Sequence, residues 1–180
     1  EDPVEYNIPG ANQCQINEKT GMTFAAGLRS ILRQDPDVIS VGEIRDGETA
    51  SIAVRAAITG HLVISTLHTN DAVSTISRLV DIGVEPYMIS SALRGVVSQR
   101  LVRKICPQCR KAYTPTEEEK RMVGIAENED VTFYKGEGCQ ECGRTGYRGR
   151  RGVFEILTLD AALRREVANN ASSEELTKTA

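Results

Sequence analysis

Residues 38–67 have the sequence VISVGEIRDGETASIAVRAAITGHLVISTL, in which two short apolar runs flank a helical pattern. The runs at 38–42 and 62–67 have the length and β-branched composition of buried strands. Between them, apolar residues recur at helical spacing over residues 47–59, and a glycine follows. A strand, a helix and a second strand at this spacing predict an α/β fold with a parallel sheet and a crossover helix.

The rest of the chain divides into three predicted parts. Residues 1–105 continue the strand and helix alternation, with further helices beginning at Asp71 and at Pro86, the second extending to Val97. Residues 106–150 contain paired cysteines and a charged stretch at 117–130 that we expect to be partly helical. Residues 151–180 predict one strand and two C-terminal helices.

Composition and charge argue against a membrane-spanning protein and give no support to a nucleic-acid-binding one. The chain is 40% hydrophobic, enough for a core, but only 4% aromatic. Its net charge of −3 gives no overall reason to expect nucleic acid or an anionic membrane as a partner. No apolar run reaches the ~18–20 residues that cross a bilayer.

Because the sequence begins at Glu1 without a methionine, we expect it to be part of a longer protein.

Four of the five cysteines form two Cys-x-x-Cys pairs that are separated by 29 residues: Cys106 with Cys109, and Cys139 with Cys142. Two such turns predict a structural zinc site, because four thiolates complete a tetrahedron and leave no position for substrate. The alternatives are two disulfides or unrelated buried thiols. The unpaired Cys14 fits a reducing cytoplasm, which argues against disulfides.

Acidic and histidine side chains follow the two predicted strands. Glu43 ends the first strand and His68 follows the second, and ligands of open α/β sheets bind at this carboxyl edge. A carboxylate there can orient Mg²⁺ on a nucleotide. The alternatives are an acidic strand cap and a structural histidine. Glu1 and Glu5 belong to an acidic opening segment that is also compatible with a solvated turn.

Four arginines form a second candidate group. Arg29 and Arg33 are four residues apart on a predicted helix, so they share one face. Arg45 follows Glu43 closely, and Arg78 lies on a later predicted helix. The group is either a set of surface charges with local acidic partners or a cluster that contacts phosphates, including phosphates across a subunit boundary.

Basic residues surround the cysteine pairs. Residues 94–111 contain six Lys or Arg and no Asp or Glu, and Arg144, Arg148, Arg150 and Arg151 follow the second pair. Nucleic-acid binding is one interpretation. We favour charge compensation with subunit or partner contacts, because Zn²⁺ with four thiolates is a dianion and few aromatic residues are available to stack on bases.

Four blocks in order resemble the bacterial type II secretion and type IV pilus assembly ATPases: EDPVEY at 1–6, GLRSILRQDPD at 27–37, VGEIRD at 41–46 and TGHLVISTLHTNDA at 59–72. The resemblance extends through the cysteines to RGRRGVFEI at 148–156. Retraction members of the family generally lack these cysteines, so the chain is more similar to secretion and pilus-extension members.

The resemblance implies a role for each candidate residue. Glu5 resembles the Asp-box glutamate that polarises the attacking water, with Glu1 as the second choice. Glu43 resembles the acid of an atypical Walker B motif and acts on Mg²⁺, and His68 resembles the His-box residue near the γ-phosphate. The four arginines match residues that contact nucleotide or the neighbouring subunit.

The resemblance also implies a partial RecA-like P-loop NTPase core, with a tetracysteine zinc subdomain and C-terminal helices. It implies a parent enzyme that hydrolyses ATP with Mg²⁺ as a cytoplasmic homo-hexamer, bound to inner-membrane platform proteins and not to nucleic acid. The chain has no Gly-rich loop ending in Lys and Ser or Thr, so we expect it to be inactive alone. A non-enzymatic zinc-binding interaction module is the alternative function.

Overall fold

The structure, a computed structural model, describes all residues of the chain from Glu1 to Ala180. It confirms the predicted mixed α/β fold. The strands are β1 Val38–Val41, β2 Leu62–Ser65, β3 Gly95–Ile105, β4 Arg110–Tyr113, β5 Phe133–Gly136 and β6 Tyr147–Thr158. The helices are α1 Phe24–Ile31, α2 Gly47–Ile58, α3 Ser74–Asp81, α4 Pro86–Ala92, α5 Glu117–Met122, α6 Ala161–Ala168 and α7 Ser173–Thr179.

The chain forms two compact units, Glu1–Ser98 with Glu155–Ala180, and Gln99–Phe154. The predicted cysteine subdomain, 106–150, lies inside the second unit. The predicted third part, 151–180, contributes its two helices to the first unit, where Leu163, Val167 and Leu176 are buried. These helices join the first unit because their apolar faces pack into its core.

The first unit is built on the predicted parallel strand pair. β1 and β2 align in parallel, with Val38 opposite Leu62 and Val41 opposite Ser65. Helix α2 connects them and begins at the N-cap Asp46, which accepts a hydrogen bond from the Thr49 amide. The two strands therefore end at one edge of the sheet.

The core of the first unit lies around α2, whose buried residues recur at helical spacing. Helices α1 and α4 pack against α2, and α6 packs against α4. Ala50 and Ile89 are fully buried at the centre of these contacts. Small buried residues on α2, among them Ala50, Ala53 and Ala56, allow the close approach of neighbouring helices.

Two helices are shorter than predicted. Helix α4 ends at Ala92, and strand β3 begins at Gly95. The β-branched residues Val96 and Val97 favour a strand there. A methyl group on Gly95 would lie 3.0 Å from the carbonyl oxygen of Leu157, so this glycine permits the close approach of β6. Helix α1 ends at Ile31, and Arg33 lies in a following 3₁₀ turn. The α-helical face that was predicted to join Arg29 and Arg33 therefore does not extend to Arg33.

The second unit contains the cysteine pairs and very little apolar core. Of residues 99–154, only Cys106, Pro115 and Gly146 are buried. Strands β4 and β5 pair antiparallel, and the rings of Tyr113 and Phe133 meet edge to face across them. Helix α5 begins in a capping box that Thr116 forms with Glu119 of the acidic stretch. Pairs of strands alone are marginally stable, so this unit needs a further source of stability.

None of the helices has both the length and the apolar character that crossing a membrane requires.

Candidate functional site

The carboxyl ends of β1 and β2 bring two predicted site residues together. The Thr66 hydroxyl donates to the Gly42 carbonyl at 2.8 Å, and the Ile44 amide donates to the Thr66 carbonyl at 3.1 Å. These bonds hold the segments that follow the two strands side by side. As a result, His68 Nε2 lies 3.4 Å from Glu43 Oε2.

Glu43 has an asymmetric environment. Its Oε1 accepts from Arg45 Nη2 at 2.5 Å, whereas its Oε2 is buried and accepts no hydrogen bond. The hydrogen bond from Arg45 and the charge of that guanidinium hold the pKa of Glu43 below its usual range, against the opposing effect of burial. The side chain of His68 contributes less in the same direction. Glu43 is therefore a carboxylate at neutral pH, with Oε1 paired to Arg45 and the buried Oε2 beside the ring of His68.

Replacing Arg45 with Gln is expected to raise the pKa of Glu43, because the main source of its lowering is removed. A carbon-detected NMR titration of the side-chain carboxyl measures this shift. His68→Gln should raise the same pKa by a smaller amount, and Lys111→Gln, a change in the second unit, should leave it unaltered. A larger shift in His68→Gln than in Arg45→Gln would contradict the geometry.

The two acidic residues of the opening segment have different positions. A methyl group on Gly42 would lie 3.4 Å from the Cα of Glu1 and 3.8 Å from its Cγ, so Glu1 lies beside the residue that precedes Glu43. Gln13 Nε2 donates to Glu1 Oε2 at 3.2 Å. Glu5 is exposed and makes no side-chain contact with Glu43, Arg45 or His68. The second choice from the sequence is thus the glutamate that lies at the sheet edge.

Asp2 belongs to the same edge, although the sequence assigns it no role. Its charge and that of Glu18 add to the larger effect of Glu43 in raising the pKa of Arg45. The sequence shows that the opening segment is acidic, but it does not show which of its carboxylates lies near Arg45. Acidic residues other than Glu43 therefore lie close enough to Arg45 to raise its pKa further.

Of the four candidate arginines, only Arg45 contacts Glu43. Arg29 Nη2 pairs with Glu48 Oε1 at 2.5 Å, and both side chains are more than half exposed. Arg33 and Arg78 are exposed and form no ion pair within this chain. The arginines do not form one cluster within the chain, and their nucleotide or subunit roles stay predictions.

The four cysteines of the two pairs form one cluster, in which all sulfur atoms lie within 4.8 Å of one another. Three Sγ–Sγ distances are short, at 3.9, 3.9 and 3.7 Å. Four sulfurs around one tetrahedral Zn²⁺ with Zn–S bonds of ~2.3 Å would be ~3.8 Å apart. All five cysteines are free thiols, with Cys14 outside the cluster. The donor set therefore fits a metal ion with four sulfur ligands.

Backbone geometry builds this cluster. Gly138 has a φ of 93°, and a side chain on it would collide with the Arg144 carbonyl oxygen at 2.6 Å. The amide of Gly138 donates to Cys109 Sγ at 3.3 Å, and the amides of Cys139 and Gly146 donate to Cys142 Sγ at 3.2 and 3.3 Å. Such N–H donors stabilise thiolate ligands and orient them.

The thiols differ in acidity. The backbone N–H of Cys139, with help from that of Gly146, lowers the pKa of Cys142 to about 6. Burial raises the pKa of Cys109 to about 11 and also raises that of Cys139. Complete ligation therefore requires a metal strong enough to displace protons from the less acidic thiols.

Several basic residues near the cluster have local partners. Arg148 pairs with Glu141 at 3.0 Å, and Lys111 pairs with Glu137 at 2.7 Å. The guanidinium of Arg103 lies 4.1 Å from the centre of the Tyr147 ring. These contacts are of the kind expected where local partners balance a basic surface.

Comparison with known proteins relates the chain to one family. The family model described as "Type II/IV secretion system protein" matches residues 1–180. The chain is 52% identical to the type II secretion system protein E of Pseudomonas aeruginosa, over 100% of this chain and 36% of that protein. It is 54% identical to the type IV pilus assembly ATPase PilB of Thermus thermophilus, over 100% of this chain and 20% of that protein.

A solved structure supports the same relation. The pilus retraction motor PilT with bound ADP has a TM-score of 0.67 and 34% sequence identity, and the match covers 99% of this chain and 42% of PilT. The chain thus spans about a third or less of the length of the two curated relatives.

Proposed function

This chain belongs to the type II/IV secretion system protein family, and we propose that it forms part of a hexameric ATPase that powers type II protein secretion or type IV pilus assembly. The names of the relatives support this role. Identities of 52% and 54% to secretion and pilus-assembly proteins, against 34% to a retraction motor, favour secretion or extension over retraction. The proposed location is the cytoplasm, peripheral to the inner membrane through platform proteins.

The observation that carries the proposal is the meeting of Glu43 and His68 at the carboxyl edge of two parallel strands. Glu43 would act on Mg²⁺ through water with its buried Oε2, which accepts no hydrogen bond within the chain. When bound, Mg²⁺ neutralises charge that develops on the transferring phosphoryl group. His68, whose side chain is 90% exposed, would contact the γ-phosphate.

The opening segment would supply the carboxylate that polarises the attacking water. The position of Glu1 beside Gly42 favours Glu1 over Glu5 for this role, in contrast to the order suggested by the resemblance. Glu5 is exposed and would face solvent or a neighbouring subunit. A positioned carboxylate raises the rate by orienting the nucleophile.

The arginines would act on phosphates or at subunit boundaries. Arg45 would hold Glu43 ionised and stay close to the nucleotide. Arg29, Arg33 and Arg78 have exposed side chains that can reach a second subunit or a nucleotide. Arginine is suited to this work because its planar fork binds phosphate oxygens in pairs.

The outer face of the β1–β2 pair supports a larger protein. Val38, Leu62 and Ile64 are each more than half exposed on strands whose other face is in the core. The chain covers only 36% and 20% of two relatives. We propose that the rest of the same protein, including a phosphate-binding loop absent from this sequence, packs on this face.

The isolated chain, residues 1–180, is expected to show no Mg²⁺-dependent ATP hydrolysis above background, whereas the full-length protein hydrolyses ATP. The physical reason is that the backbone cradle and lysine of a phosphate-binding loop are missing from this sequence. Phosphate release from both proteins, at equal concentrations and with EDTA as a blank, provides the test. A full-length protein without ATPase activity would refute the proposed function, and turnover by residues 1–180 would refute the need for the loop.

The cysteine cluster would hold a structural Zn²⁺ through Cys106, Cys109, Cys139 and Cys142. A non-enzymatic zinc-binding interaction module is the second candidate function, and the compactness of residues 99–154 as a separate unit favours it. Such a module has no need for Glu43 and His68 at one sheet edge. We propose protein partners for this unit, and no nucleic acid, because several of its basic residues have local acidic and aromatic partners.

A further inference from the structure

The loop that carries His68 connects β2 to α3, and hydrogen bonds from nearby residues hold most of it. Thr69 Oγ1 and Thr75 Oγ1 are 2.9 Å apart, and the Ser74 amide donates to Asp71 Oδ1 at 2.7 Å. Both contacts join residues within six positions of one another. They fix the local turn, but they do not fix the turn to the rest of the unit.

Thr66 and His68 contact the segment that follows β1, and a further contact reaches this loop from a more distant part of the sequence. The Ala72 amide donates to Glu155 Oε2 at 3.0 Å, across 83 residues. Ala72 is fully buried and lies two residues before α3 begins, where a backbone N–H has no partner within the helix. The carboxylate satisfies this donor and complements the positive end of the helix.

Glu155 differs from its neighbours in β6. All four residues at 153–156 are exposed, but Val153, Phe154 and Ile156 are apolar, whereas Glu155 is acidic and forms no ion pair. Its side chain accepts a hydrogen bond from the Ala72 amide. The exposed side chain of Glu155 thus satisfies the backbone N–H of a fully buried residue, Ala72.

We propose that Glu155 is a positioning residue that holds the His68 loop in register with Glu43. This inference rests on the proposed function, because it concerns the geometry of the same sheet edge. Strand β6 begins in the cysteine-containing unit and reaches the first unit at Glu155. The strand that leaves the cysteine unit therefore supplies the acceptor that anchors the His68 loop.

Three variants of the full-length protein test the role of Glu155. Glu155→Ala removes the acceptor, Glu155→Asp keeps the charge but shortens the reach, and Glu155→Gln keeps an acceptor oxygen at the same length. Glu174→Ala, an exposed glutamate in the same unit with no recorded side-chain contact, is the control. Hydrogen exchange of peptides covering residues 66–75 and steady-state ATP hydrolysis are the two measurements.

In Glu155→Ala and Glu155→Asp, amide exchange at 66–75 should rise by about tenfold, the scale of one hydrogen bond to a charged acceptor. The kcat should fall by about tenfold with little change in KM, because misplacement of His68 affects the reacting geometry more than binding. Glu174→Ala should stay close to wild type, and Glu155→Gln, which keeps a neutral acceptor, should change both quantities less than Glu155→Ala and Glu155→Asp do. If Glu155→Ala fails to fold, Glu155→Asp against Glu155→Gln decides the question.

Unchanged exchange in both Glu155→Ala and Glu155→Asp would overturn the anchor, whatever the ATPase result. Faster exchange with unchanged kcat would also overturn the proposal, because the contact would then not position His68. A wild-type protein without ATPase activity would refute the proposed function, while the exchange measurement would still decide whether Glu155 holds the loop.

Discussion

Replacing Glu43 with Gln in the full-length protein is expected to lower kcat for ATP hydrolysis by about 10²–10⁴-fold, the scale of the several kcal/mol that a well-placed metal ion contributes to the transition state. The change is isosteric, so packing around the side chain is kept. It removes the negative charge that Arg45 and His68 face and that is proposed to act on Mg²⁺ through water. Phosphate release under saturating MgATP measures the loss.

Two further variants separate the carboxylates of the opening segment. Glu1→Gln should lower kcat strongly, because Glu1 lies beside Gly42, whereas Glu5→Gln should have a smaller effect. Glu174→Gln is the matched control for a charge change on an exposed glutamate. Wild-type turnover in Glu43→Gln, with an intact fold by circular dichroism, would show that Glu43 is an acidic strand cap without a role in ATP hydrolysis.

The sheet edge could be predicted from sequence because its determinants are local. The apolar run of β1 ends at Glu43, the run of β2 precedes His68, and a helix between them forces the strands to be parallel. In a parallel pair both carboxyl ends meet at one edge, so the proximity of the two side chains follows from topology. The structure adds their separation of 3.4 Å.

Other features could not be predicted, because they depend on contacts between distant segments. The sequence predicts helix for the start of β3, because the apolar residues there lack the alternation that marks a half-buried strand. The choice between Glu1 and Glu5 depends on how one short turn folds against Gly42. The bond between Glu155 and Ala72 joins residues 83 positions apart, and no local pattern encodes it.

The cysteine cluster could be predicted from sequence only in part. The spacing of each pair predicts that two sulfurs converge, and the structure brings all four within 4.8 Å. The supporting strands β4 and β5 were not predicted, because they are short and mostly exposed. The near absence of buried residues in 99–154 is visible only in the folded chain. It suggests that the metal, more than apolar packing, stabilises this unit.

Cys139→Ser is expected to abolish metal binding and to unfold residues 99–154 selectively. Structural zinc contributes about 10–16 kcal/mol in small zinc modules, which is more than the few buried residues of this unit can replace. The first unit should stay folded, because its own core includes Ile89, Leu163 and Leu176. Elemental analysis should find one zinc per wild-type chain, and hydrogen exchange should separate the two units.

Cys14→Ser is the matched control, because Cys14 lies outside the cluster and its loss should leave both zinc content and exchange unchanged. Treatment of the wild-type protein with a strong chelator should reproduce the Cys139→Ser pattern, with rapid exchange confined to residues 99–154. Full zinc content in Cys139→Ser would contradict the four-sulfur site. Iron in place of zinc would keep the site and change its metal, because tetrahedral sulfur ligands accept both. Slow exchange throughout 99–154 after metal loss would show that strand pairing and the few buried residues suffice, and the metal would then have a role other than folding.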